Sequence, residues 1–496
     1  MSEGRLAGLA WRLVRADALA PREIDPLLTP AQRMAARTLR LFSGRQARTG
    51  RPGERLAREL ERSGPVAIKL GQFLSTRGDI FGEAFVNDLG RLKDQLPPFA
   101  TDLSRAEVER ALGRPLAQVF AEFGEPVAAA SLAQAHRARL TDGREVAVKV
   151  LRPAIERRVS RDVKTLERAA ALAEAWPAAR RLEPRAFAAT VARALALELD
   201  LRMEAAAADE LGKAMAVDGF VQAPAVVWDA VARRVLTLEW ATGMPLSDPT
   251  ALDHPGLDRK RTAEALVRGF LTQALDHGVF HADLHEGNLF VAAPDRICVV
   301  DFGIVGRLSA ADRRYLAEIL WGFLNRDYGR LAEVHFQAGW VSAGQNRGAF
   351  AQALRAVGEP VFGRPARDVS MGRLLGQLFD VTSLFDMRLR PELVLLQKTM
   401  VTVEGVARRI DPDHDIWTAS EPVVRRWIAR ELSPAAQVRS FVAEARGVLQ
   451  ALSVLAAERS APPPAPPPRQ GMDALAAFAL GAALAGLAFA LAVWLR

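Results

Sequence analysis

Two short motifs constrain this chain more than any other feature of it. "HADLHEGN", residues 281–288, places Asn288 five residues after Asp283, and "VVDFG", residues 299–303, places Asp301 thirteen residues after that asparagine. The intervening "FVAAPDRICVV" reads as a hairpin, so the two acids and the amide are expected to converge at its base. Taken singly, each aspartate is an ordinary loop residue, because Asp caps turns and helices wherever a chain bends. The pairing at this spacing is what carries information.

Phosphoryl transfer asks a protein mainly to hold phosphates and metal and to aim an acceptor in line. In that chemistry Asp283 accepts or orients a proton, Asn288 binds metal, and Asp301 coordinates Mg²⁺ bridging the phosphates of ATP. Upstream, "VAVK" ends in Lys149, a strand lysine of the type that contacts phosphates and pairs with a helix glutamate. Glu198 and Glu204 are the candidates. Around one helix they would lie about 120° apart, so only one can take the role. Where a glycine-rich phosphate loop belongs, the chain reads "AAAS", Ala128, Ala129, Ala130 and Ser131. Each Cβ limits how closely the backbone approaches phosphate, so nucleotide geometry should differ from that of ordinary kinases.

The surrounding pattern agrees with these motifs. Residues 1–50 read as a basic helical region and 51–125 as a helical extension. Residues 126–245 form a strand-rich lobe with a helical insert, in which "PVAAASLAQAHRARL" and "REVAVKVLRP" are strands joined at Asp142-Gly143. A second strand pair, "APAVVWDAV" and "RRVLTLEWATG", closes that lobe, and residues 246–455 form a helical lobe. The expectation is an α+β, bilobal protein-kinase-like fold with a helical N-terminal extension and a C-terminal transmembrane helix. Residues 456–472, with "PPPAPPPRQG", read as a stiff proline-rich linker. Residues 473–496 read as the anchor, since Ala474 to Leu495 are about 22 uncharged residues, enough to cross a bilayer. Trp494 and Arg496 stand where interfacial anchors would.

A net charge of +8 and a pI near 10.1 favour an anionic partner. Basic residues are dispersed and no nucleic-acid reading motif is present, so anionic membrane lipid is expected rather than nucleic acid. Glu3, Asp17, Glu23 and Asp25 interrupt the start, which has no secretory signal pattern. The single cysteine, Cys298, lies in an apolar strand context and reads as a core residue in a reducing compartment.

With these residues in hand, the chain resembles the UbiB family of atypical kinase-like proteins, also called the aarF or ADCK-type family. "KLGQ" (Lys69, Gly71, Gln72), the alanine loop before "VAVK", "ELDLRME" (Glu198, Asp200, Glu204) and the "HADLHEGN" and "DFG" pair carry the resemblance, which runs from about residue 60 to about 420. It implies that Lys69, Gly71 and Gln72 sit on an extension folded over the active site, where a protein substrate would dock. Glu198 and Asp200 would meet this extension, and Glu204 would pair with Lys149. Glu239 joins the alanine loop among the expected nucleotide contacts. The resemblance further implies an ATPase using ATP and Mg²⁺, with water as acceptor, stimulated by lipid and phenolic quinone precursors in ubiquinone biosynthesis beside other enzymes of that pathway. A bacterial-type inner membrane location, with the body in the cytoplasm, follows from the same resemblance and the terminal span. A kinase acting on a lipid, a small phenol or a protein would use the same residues. The chain departs from the family at Glu286, where relatives usually carry proline, and at Ala207, where they often carry asparagine. No activation segment or "APE" follows the "DFG", as expected where no peptide is positioned.

Overall fold

Alternation along the lysine strand builds the smaller lobe. In this computed structural model, which describes residues 51–75, 96–174, 183–361 and 391–431 and scattered positions among 8–50, 85–92 and 377–387, the first continuous stretch of described residues carries two helices, α1 (Pro52–Ser63) and α2 (Pro65–Leu74). After α3 (Thr101–Leu112), strands β1 (Phe120–Ala129), β2 (Ala133–Leu140), β3 (Glu145–Leu151) and, later, β4 (Val235–Glu239) form an antiparallel sheet in that order. Val146, Val148 and Val150 of β3 point to one face and pack with Val108, Phe120, Phe123 and Val235. Period-two geometry sends Lys149 to the other face, opposite Leu236 of β4.

Three helices follow β3: α4 (Ile155–Glu174), α5 (Pro184–Glu198) and α6 (Leu201–Asp218). Helix α6 buries Leu201, Ala205, Ala208, Leu211 and Met215, a stripe at helical spacing that packs into the main core. That stripe fixes the rotation of α6 and leaves Glu204 beside it, its side chain only 10% exposed. Asp200 caps the helix by accepting from the Arg202 amide.

The larger lobe opens with β5 (Met244–Pro245), then α7 (Arg259–Thr272) and a π-turn, Gln273–His277. Strand β6 (Val279–His281) leads into the first motif, the hairpin β7 (Leu289–Ala292) and β8 (Arg296–Val299) joins the two motifs, and β9 (Val305–Arg307) leaves the second. Strands β6 and β9 pair antiparallel, so the motifs are held side by side at both ends. Helices α8 (Ala310–Leu324), α9 (Tyr328–Gln337), α10 (Arg347–Gly358), α11 (Pro391–Ile410) and α12 (Ile416–Glu431) complete the lobe.

Four expectations need correction. "PVAAASLAQAHRARL" is two strands rather than one, because the Ala130 amide donates to the Ala133 carbonyl and closes a tight turn between β1 and β2. The boundary at 125/126 therefore falls inside β1. "APAVVWDAV" forms a single bridge, Val226 to Leu238, and a 3₁₀ turn at Trp228–Ala230 instead of a strand. Glu198 and Glu204 do not share a helix, since the chain breaks between α5 and α6 at Leu199–Asp200. The linker at 456–472, the anchor at 473–496 and much of the 1–50 region lie outside the described residues. Among the described residues no helix is long and apolar enough to cross a membrane.

Gly306 of β9 faces Phe280 of β6, a fully buried ring, and a Cβ there would come within 2.1 Å of it. Gly306→Ala is therefore expected to destabilise the protein by about 1–3 kcal/mol, read as a drop in thermal midpoint. An unchanged midpoint would mean that the ring can move aside and that the β6–β9 pair is not tightly packed.

Candidate active site

Lys149 is the point where three distant segments meet. Its ammonium lies 2.7 and 3.0 Å from the two carboxylate oxygens of Glu204 and 3.2 Å from Oδ1 of Asp301. Burial alone would lower the lysine's affinity for its proton, but the carboxylates of Asp301 and Glu204 overcome that and hold it well above its ordinary range. The ammonium is thus permanently charged. Lys149 pulls the Asp301 carboxyl down to about 2 against the opposing effect of burial. Burial pushes Glu204 up to about 7 against the pull of Lys149, and the nearby Asp301 adds to the rise.

The two motifs are bridged by His281, whose role the sequence reading missed. The ring is fully buried. Its Nδ1 accepts from the Asp283 amide at 3.2 Å, and its Nε2–H donates to the Asp301 carbonyl at 2.9 Å. That pattern requires the neutral ring, and burial holds the imidazole below its ordinary value. Asn288 Nδ2 donates to the Asp283 carbonyl at 2.9 Å, which leaves the amide oxygen as its free acceptor. Asp301 has a left-handed backbone, φ 64°, a conformation that Asp tolerates better than most residues. Between the motifs, Cys298 is buried in β8, and burial pushes its thiol up to about 11, an unreactive value.

Asn288 Oδ1 and the Asp301 carboxylate are hard oxygen donors. Among the described residues no cluster of three or more His, Cys, Asp or Glu side chains is arranged around a metal. That suits Mg²⁺, which takes one or two protein oxygens and completes its shell with water and substrate phosphate.

The other predicted residues divide. Lys69 on α2 reaches Glu198 at the end of α5, 2.5 Å away. Gly71, two residues beyond Lys69 and so on the other side of α2, lies under Leu92 and Leu60, and any Cβ there would overlap both. Gln72 is half-buried on the same helix. Asp200 is turned to Arg202, at 2.6 Å, because it caps α6. The Glu239 carboxylate is on the hairpin side of the sheet, 3.2 Å from Arg144, so the structure does not bring its side chain to Lys149. In the alanine loop, Ala128 and Ala129 end β1, and Ser131 is buried. Arg152 Nε donates to the Ala130 carbonyl at 2.9 Å, and Arg152 Nη2 donates to the Pro97 carbonyl at 2.9 Å. With the Ala130 amide also bonded to Ala133, this loop is clamped closed. Glu286 forms an ion pair with Arg409 of α11. Thr399 of α11 donates to the Ala282 carbonyl at 3.1 Å. His281 was visible inside its motif, whereas nothing in the α11 pattern pointed to the first motif.

Comparison with known proteins places these features together. A family model described as the ABC1 atypical kinase-like domain matches residues 91–335, and one described as the UbiB helical domain matches residues 354–415. A "Probable protein kinase UbiB" of Marinobacter nauticus is 39% identical over 395 residues, covering 78% of this chain and 72% of that one. The protein of the same description from Pseudomonas paraeruginosa is 39% identical over 461 residues, covering 89% and 86%. A solved structure of Rv3197 with erythromycin, from Mycobacterium tuberculosis, shares the fold with a TM-score of 0.52 at 24% identity, over 73% of this chain and 93% of that one.

The depressed His281 value sets a pH dependence. The folded chain excludes a proton that the unfolded chain binds below about pH 6.5, so this contribution to stability is present above 6.5 and lost as pH falls. His281→Asn should flatten part of the fall in thermal midpoint between pH 6.5 and 5, measured against wild type. It should also lower the midpoint at pH 7.5, by about 1–3 kcal/mol for each buried group left unpaired.

Proposed function

Because this chain belongs to the UbiB family of ABC1 atypical kinase-like proteins, we propose that it is a membrane-anchored, Mg²⁺-dependent ATPase that supports ubiquinone biosynthesis by ATP-driven handling of hydrophobic phenolic precursors. Lys149, fixed by Glu204, holds the phosphates of ATP. Asn288 and Asp301 would hold Mg²⁺, which when bound neutralises charge on the phosphate oxygens. Asp283 orients the attacking water, and His281 keeps Asp283 and Asp301 in register. The C-terminal apolar stretch anchors the protein in a bacterial inner membrane with the catalytic body in the cytoplasm, where anionic lipid and other enzymes of the pathway are its partners.

The observation that carries this reading is the Lys69–Glu198 bond. It draws the N-terminal extension toward the acceptor side of the site, near enough for Lys69 to act electrostatically on Lys398, which is itself an electrostatic neighbour of Asp283. An extension held there stands where a protein substrate would dock, whereas water needs no docking surface. The relatives carry a protein-kinase description, and a lipid, phenol or protein acceptor would use the same Asp283.

Full-length protein in detergent with anionic lipid and a phenolic precursor analogue should release free phosphate from ATP only with Mg²⁺. Asp301→Asn should lower that rate at least about a hundredfold, the scale of losing a metal-holding group. Label from γ-phosphate-labelled ATP appearing in lipid, phenol or protein would replace hydrolysis with a kinase activity. Absence of both would leave a binding protein.

A further inference from the structure

Among the described residues, the lysines and arginines around Asp283, whose carboxylate has His285 3.8 Å away, include one without a carboxylate partner. Lys149 is matched by two carboxylates, Lys69 by Glu198, and Arg409 by Glu286. Lys398 is different. It lies on α11, whose next residue, Thr399, bonds the backbone of Ala282, the neighbour of Asp283. The electrostatic neighbours of its ammonium are Asp283, which favours its charge, and Lys69, which opposes it. Lys398 is exposed, and its side chain makes no hydrogen bond or ion pair among the described residues.

A transferred phosphoryl group spreads negative charge over its three equatorial oxygens, and catalysis depends on positive charge already in place to meet it. The acids near this centre, Asp283, Asp301, Glu204 and Glu198, outnumber the paired lysines. The paired lysines therefore offer no net positive charge beyond that of the metal. A flexible, unpaired lysine beside Asp283 does, and its long stem lets the ammonium follow the phosphate.

We propose that Lys398 binds the terminal phosphate of ATP from the acceptor side, so that the C-terminal helical segment completes the nucleotide site. This rests on the ATP reading above. Lys398 then distinguishes ATP from ADP, because the terminal phosphate is the group it meets.

The test is nucleotide binding to the full-length protein, with Mg²⁺ and either a non-hydrolysable ATP analogue or ADP, for wild type, Lys398→Ala and Lys398→Arg. Loss of one charge-assisted hydrogen bond corresponds to about tenfold or more in affinity. Lys398→Ala should lose that for the ATP analogue while ADP affinity stays within about twofold, and Lys398→Arg should recover most of it. Thermal midpoints should match, since the residue is exposed. Equal losses for both nucleotides, or no loss for either, would overturn the role of Lys398 while leaving ATP binding intact. Wild-type protein that binds neither nucleotide would instead overturn the ATP reading, and the role of Lys398 with it.

Discussion

The ion cluster at Lys149 is the constraint on which the rest of the site depends. A lysine withdrawn from water costs several kcal/mol unless its charge is matched, and here it is matched twice, by Glu204 at 2.7 Å and Asp301 at 3.2 Å. Those carboxylates arrive from α6 and from the loop after β8. Meeting Lys149 therefore ties three things together: the face of α6 that its apolar stripe leaves to Glu204, the approach of the two lobes, and the loop at Asp301. The left-handed φ of Asp301 is held from both sides, by His281 on its carbonyl and by the Gly303 amide, 3.4 Å from its carboxylate.

A second set of contacts brings the N-terminal extension and a late helix of the larger lobe toward the first motif. Helix α2 enters through Lys69 and Glu198, and helix α11 through Thr399 and Ala282 and through Arg409 and Glu286. The Glu286 carboxylate ties the loop of the first motif to α11 through Arg409. Arg152 does the same for the alanine loop by bonding the carbonyls of Ala130 and Pro97. Alanine removes the close approach that glycine permits, and the arginine removes the freedom of the turn.

Much of the catalytic pattern was legible because it is local. The five residues from Asp283 to Asn288 and the hairpin to Asp301 bring those groups together over a short span, so spacing and turn chemistry suffice. Alternation in "VAVK" placed Lys149 opposite the buried valines. Glu204 needed the family resemblance, since its distance from Lys149 in sequence carries no angular information across a helix break. Asp200 turns to its own helix for a related, local reason. An aspartate before a helix satisfies free amides more cheaply than it reaches a distant partner, and Arg202 then holds it there. The Glu239 side chain stays away from Lys149 because the end of β4 lies beside the Asp142-Gly143 turn, where Arg144 is the nearer charge.

By itself the sequence determined the α+β kinase-like fold class, the spacing of Asp283, Asn288 and Asp301 and the strand that presents Lys149, because each is encoded by short-range periodicity or fixed spacing. Tertiary structure alone decided that His281 spans both motifs, that Arg152 clamps the alanine loop, and that Lys398 stands beside Asp283. These depend on contacts between segments that no local spacing relates, such as Arg152 with Pro97 or α11 with Ala282, or on which nitrogen of a buried ring donates and which accepts. Such choices follow from the requirement that buried polar groups find partners, and that requirement acts only once the chain has closed on itself.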